Sequence, residues 1–167
     1  MPPGAGDPTV SVVAVIGAGR ASTAQEQAAC AVGSGLARAG ITVVTGGLGG
    51  VMAAACRGAR EAGGRTVGIL PGLDRAAANA FVEVALPTGL GEARNLLVVR
   101  AADVVIAVGG EYGTLSELAL ALKAGIPVIG LDTWQLRRDG RNDEGIEVAA
   151  SAEDAVARAR AHLARSA

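Results

Sequence analysis

The chain has 167 residues, half of them hydrophobic but only 2% aromatic, with 25 glycines and a formal net charge of -1. That length suits one domain spanning 1–167, and the near-neutral charge with a single Phe, Tyr and Trp offers neither a phosphate-backbone footprint nor a base-stacking platform, so no nucleic-acid partner is expected. Among 15 basic residues only Lys123 is a lysine, which excludes a P-loop and disfavours Schiff-base chemistry.

The N-terminal stretch MPPGAGDPTV has no signal-peptide pattern, and no apolar run approaches the ~18 residues of a membrane span, so a cytoplasmic protein with no membrane partner is expected. A β-branched run at 10–16 predicts the first strand. A helix over 23–39 follows, opened by Thr23 with Glu26 at capping-box spacing and stopped at Gly40. The second strand, 41–45, leads through glycines into a helix over 51–62 that stops at Gly63. Strands at 66–70 and 82–85 precede a helix over 91–101. A fully apolar strand at 104–108 feeds a helix over 114–124, opened by Thr114 with Glu117 and stopped at Gly125. A strand at 127–131, a polar exposed turn at 137–145, a short strand at 146–148 and a helix over 151–165 complete the chain. Ser151 with Asp154 again fits a capping box, and the arginines of that last helix read as solvated surface. Near-continuous apolar strands alternating with helices predict an open, doubly wound, mainly parallel α/β sheet with helices on both faces.

Cys30 and Cys56 lie far apart on helical segments without CxxC spacing, and His162 is the only histidine. No redox pair, zinc site or Ser-His-Asp triad can be assembled from them, so no metal site is expected.

In such a sheet ligands bind beyond the carboxyl ends of the strands, where the strand order reverses. Three glycine-bearing turns are predicted at that edge. The first holds Gly17 and Gly19 and nearly matches G-x-G-x-x-G, but the second strand ends in Val44-Thr45-Gly46 rather than in an acid, which disfavours a dinucleotide dehydrogenase. The second turn contains Gly46, Gly47, Gly49 and Gly50, with Met52 in the helix that follows. A tight turn explains one or two of these glycines, whereas four favour backbone approach to a phosphate at a helix N-terminus. The third turn contains Gly109, Gly110 and Gly113, with the Thr114 hydroxyl beside them. Glu117 has two compatible readings: the acid of a capping box, or a carboxylate over the pocket that stabilises a cationic sugar or steers a water. Arg94 is either a salt-bridged surface residue or a bidentate phosphate clamp. Arg20 and Arg57 carry the same ambiguity on weaker grounds.

TGGLGGVMAAACRGAREAGG (45–64) paired with GGEYGTLSELALALKAGIPVIGL (109–131) resembles the Rossmann-like superfamily once labelled "possible lysine decarboxylase". That superfamily includes the Lonely Guy phosphoribohydrolases, the molybdenum cofactor carriers and part of the DNA-processing protein DprA. GILPG (68–72), PTGLGEARN (87–95) and GTLSE (113–117) place the likeness nearest a small bacterial, DprA-related and carrier-like branch. In the Lonely Guy enzymes a P-G-G-x-G-T-x-x-E segment binds the nucleotide phosphate, and its glutamate supports N-glycosidic cleavage with an arginine from the preceding helix. The resemblance therefore implies Gly110, Gly113 and Thr114 as phosphate ligands and Glu117 and Arg94 as the catalytic pair. Gly109 stands where the family has proline, Glu111 where it has the second glycine and Asn95 where it has lysine, so this pocket is less cationic than the enzyme pattern. Lys123, at a helix end, reads as a surface residue, which sets aside the decarboxylase label.

Two functions follow as expectations. One is binding and hydrolysis of a nucleoside 5′-monophosphate. The alternative is a non-catalytic carrier or sensor of a phosphorylated, molybdopterin-type cofactor. Neither requires a resident cofactor. The Ala-rich helices, 114–124 among them, predict a homodimer or tetramer.

Overall fold

Strands that are apolar at every position need cover on both faces. The computed structural model, which describes residues 10–166, supplies it. The chain runs β1 (Val12–Gly17), α1 (Thr23–Arg38), β2 (Thr42–Thr45), α2 (Val51–Glu61), β3 (Thr66–Leu70), β4 (Val84–Pro87), α3 (Asn95–Arg100), β5 (Val104–Val108), α4 (Tyr112–Lys123), β6 (Val128–Leu131), β7 (Arg137–Arg138), β8 (Arg141–Asn142), β9 (Ile146–Val148) and α5 (Ala152–Ser166). Single 3-10 turns lie at Arg75–Ala77 and Gly91–Arg94. Residues 1–9, read above as carrying no signal pattern, lie outside the described residues.

Seven strands form one sheet in the order β4-β3-β2-β1-β5-β6-β9, and every neighbouring pair is parallel. Alternate residues of the central strands enter opposite cores. Val13 and Val15 pack with α1, α2 and α5, while Ala14 and Ile16 pack with α3 and α4. The polar stretch expected as an exposed turn is the β7–β8 hairpin, and the short strand at 146–148 is β9 on the sheet edge.

Small side chains let the layers approach closely. A Cβ on Gly33 would stand 2.0 Å from the Ala55 carbonyl oxygen, and one on Gly58 would stand 1.9 Å from that of Cys30. The α1–α2 contact is thus backbone against backbone, which fixes α2 relative to the first turn. Two helix starts differ from expectation. Ser22, not Thr23, caps α1, with Gln25 returning the capping-box bond. α4 begins at Tyr112 behind Glu111 with no side-chain cap, so Thr114 is already inside the helix and Glu117 is not a capping acid.

Candidate functional site

The strand order reverses at β1, which lies between β2 and β5. Gly17, the last residue of β1, pairs with Val108, the last of β5, so the turns leaving these strands open side by side. A cavity of about 150 Å3 sits there, walled by Gly17, Ala18 and Gly19 of the first turn, Gly46, Met52, Arg94, Asn95, Glu111, Gly113, Thr114 and Glu117. That is smaller than the ~300 Å3 at which small-molecule pockets usually begin, so the cavity has room for one end of a drug-sized molecule and not for the whole.

Arg94 ends the 3-10 turn Gly91–Arg94 and is only 8% exposed. Its Nη1 donates to Asn95 Oδ1, and its Nη2 donates to the Gly46 carbonyl at 3.3 Å. Its Nε is buried without a hydrogen-bond partner. A Cβ on residue 46 would stand 2.7 Å from Nη2 and 2.8 Å from the Met52 sulfur, so the guanidinium occupies space that only glycine leaves open. Burial pulls the Arg94 pKa down, against the opposing pull of Glu117.

Glu117 is 7% exposed on the inner side of α4 and makes no hydrogen bond or direct ion pair with Arg94. Burial pushes its carboxyl up to about 7, with the Arg94 charge acting in the opposite direction. The pocket thus combines one buried, incompletely satisfied cation with a carboxyl that changes charge near neutral pH. Such a pair can hold an anion, or hold and move a proton beside it.

The structure brings together Gly17, Gly19, Gly46, Met52, Arg94, Gly113, Thr114 and Glu117. Gly47, Gly49, Gly50 and Gly110 do not line the cavity. Gly50 has φ +60, and a Cβ there would stand 2.2 Å from the Ala18 carbonyl oxygen, which also accepts the Val51 N–H. Much of the second glycine turn therefore serves its own geometry. Asn79 holds that turn by donating its backbone N–H to the Gly47 carbonyl and its Nδ2 to the Leu48 carbonyl; no sequence pattern marks it. Asn95, noticed in the sequence only as a missing lysine, braces Arg94. Glu111 stands at the rim, exposed, with its carbonyl accepting the Trp134 indole N–H at 3.2 Å. Arg20 and Arg57 are not among the residues lining this cavity.

A parallel doubly wound sheet with a glycine-walled cavity at its switch point defines an α/β protein of the Rossmann-like type. Residues 10–157 match the SLOG cluster4 family, and the chain belongs to it. A protein of Archaeoglobus fulgidus is 43% identical over 119 residues, covering 71% of this chain and 78% of that one. The molybdenum cofactor binding protein from Rippkaea orientalis superposes with a TM-score of 0.85 at 33% identity, over 94% of this chain and 99% of that one. The molybdenum cofactor carrier protein of Chlamydomonas reinhardtii gives 0.82 at 35% identity, over 93% and 99%. The carrier-like branch expected from GILPG, PTGLGEARN and GTLSE is thus the branch in which the structural neighbours fall.

Proposed function

We propose that the chain is a cytoplasmic carrier that holds a small phosphorylated cofactor of molybdopterin type as cargo, without a nucleic-acid partner and without turning the cargo over. The observation that carries this reading is the buried Arg94 with an unpaired Nε beside backbone-walled space, in a chain resembling cofactor-binding proteins over nearly its full length. Arg94 would neutralise a terminal phosphate, and the turns at Gly17–Gly19 and the start of α4 would add backbone N–H groups to it. Glu117, in its protonated form, would donate to a phosphate or pterin oxygen instead of repelling it. Native mass spectrometry of the purified protein is the test: a noncovalent cargo mass is expected, and Arg94→Ala should lose it. A wild-type protein that carries no added mass, and that binds neither molybdopterin nor any nucleoside monophosphate when these are supplied, would end this reading.

The Glu117 carboxyl, raised to about 7 in the same cavity as Arg94, favours a second reading: cleavage of a nucleoside 5′-monophosphate to base and ribose 5-phosphate. The carboxylate would stabilise the developing oxocarbenium charge or orient water, and Arg94 would hold the phosphate. Incubation with AMP should then release adenine, and Glu117→Ala should abolish the release. Binding of monophosphates without any release of base would leave the carrier reading alone. Either form is expected to be a homodimer or tetramer.

A further inference from the structure

Glu111 stands at the rim of the cavity, in a place that the fold specifies closely. The chain leaves β5 through Gly109 and Gly110, whose φ values of +57 and +133 suit glycine, and Glu111 follows as the residue before α4. Trp134 packs against the core that α3 and α4 cover, and its indole N–H donates to the Glu111 carbonyl at 3.2 Å. The Tyr112 ring lies against Trp134, with centroids 5.7 Å apart. The backbone at 111 is thereby pinned, yet its carboxylate has no task in the fold. It makes no capping bond to α4, and among the described residues it has no hydrogen bond or ion pair. A surface carboxylate is ordinarily solvated and nothing more. This one walls the same small cavity as Arg94, where it would repel a bound anion unless donors on the ligand face it.

We infer that Glu111 selects the ligand by a pair of adjacent N–H donors, and that the ligand is a phosphorylated 2-amino-4-oxopyrimidine, the ring edge shared by guanine and pterin. Arg94 is the sole cationic side chain among the described residues walling the cavity, so the phosphate belongs there. The cavity, about 150 Å3, leaves the rest of a nucleotide-sized ligand to pass the rim. An ionised carboxylate only accepts hydrogen bonds. Adenine and cytosine offer it one amino donor beside a ring-nitrogen acceptor, and uracil and hypoxanthine offer one ring N–H beside a carbonyl. Guanine and pterin set a ring N–H and the 2-amino group side by side, matching the two carboxylate oxygens as a guanidinium fork does. The same charge that disfavours a bare anion at the rim thus favours one class of ring attached to it.

This inference rests on the proposed binding of a phosphorylated ligand at Arg94, and not on whether that ligand is turned over. Calorimetric titration of the full chain with inorganic phosphate, AMP, IMP, GMP and 6-hydroxymethylpterin phosphate is the test. IMP is GMP without the 2-amino group. Wild type is expected to bind GMP about 10-fold more tightly than IMP or AMP, and the pterin phosphate with a like advantage over its 2-oxo analogue. The tighter of GMP and the pterin phosphate names the source of the ring. Glu111→Gln should cancel the advantage and at the same time tighten inorganic phosphate, because a negative charge leaves the rim. A variant that merely loosened the fold would weaken both. Glu111→Ala supplies the same comparison if the Gln variant does not fold. Equal affinities for GMP and IMP in wild type, or an advantage that survives Glu111→Gln, overturn the role of Glu111 and leave the phosphate site standing. No binding of any of these compounds, inorganic phosphate included, overturns the site and the selection together.

Discussion

Glu117 holds its proton more tightly in the folded chain than it would unfolded, because burial raises its carboxyl from 4.5 to about 7 despite the Arg94 charge. Its ionisation therefore costs stability. The cost is absent below the unfolded value of 4.5 and is fully present once the pH has risen through about 7. Glu117→Gln imitates the protonated form. It is expected to melt a few degrees above wild type at about pH 8, with the gap closing as pH falls toward ~4.5, read by a thermal melt across pH. The same titration should govern anion affinity. Inorganic phosphate should bind wild type more tightly at about pH 6 than at about pH 8, and Glu117→Gln should remove the protein's share of that dependence. Arg94 belongs to the same argument, since its two Nη bonds and its close fit against Gly46 require a planar fork. Arg94→Lys keeps the charge but is expected to weaken phosphate binding about 10-fold in calorimetry, because an ammonium cannot brace on Asn95 and Gly46 together. The sequence singled out both residues from the family pattern, yet it left the capping reading of Glu117 open. What closed it was the start of α4 at Tyr112, two residues before the Thr114 that fits the capping pattern.

Helix starts and turns are where the sequence reading and the structure diverge most. Ser22 with Gln25 and Thr23 with Glu26 are overlapping capping patterns one residue apart, and local chemistry gives little reason to choose between them. The extended backbone of Ser22 decides for the first. The expected fourth strand, 82–85, is displaced to Val84–Pro87 because its register is set by pairing with β3, a long-range contact. The 46–50 turn shows the same limit from the other side. Four glycines suggested a phosphate cradle, but only Gly46 walls the cavity, and Gly50 is required by its positive φ and the Ala18 carbonyl. Gly50→Ala is expected to destabilise the chain by ~1–3 kcal/mol or more in denaturant unfolding. Gly49→Ala, whose Cβ would meet only the Gly19 carbonyl oxygen at 3.5 Å, should stay within about 0.5 kcal/mol of wild type.

At the scale of the whole molecule, one continuous sheet ties every helix layer to the same strands, and both cores share β1 and β5. Unfolding is therefore expected to be a single cooperative transition, with circular dichroism and calorimetry giving the same midpoint. Separate transitions for the two helix layers would contradict this. No helix among the described residues is long and apolar enough to cross a membrane.

The sequence by itself determined the class of fold, the alternation of its elements and the residues most able to do chemistry. Those features follow from local apolar runs, from glycine punctuation and from the scarcity of lysine, histidine and aromatic side chains. Only the tertiary structure decided which glycines reach the cavity, that Asn95 braces Arg94, and that Glu117 lies buried beside it with a raised pKa. The reason is physical: burial, close approach and charge coupling arise between residues distant in the chain, and no local pattern contains them.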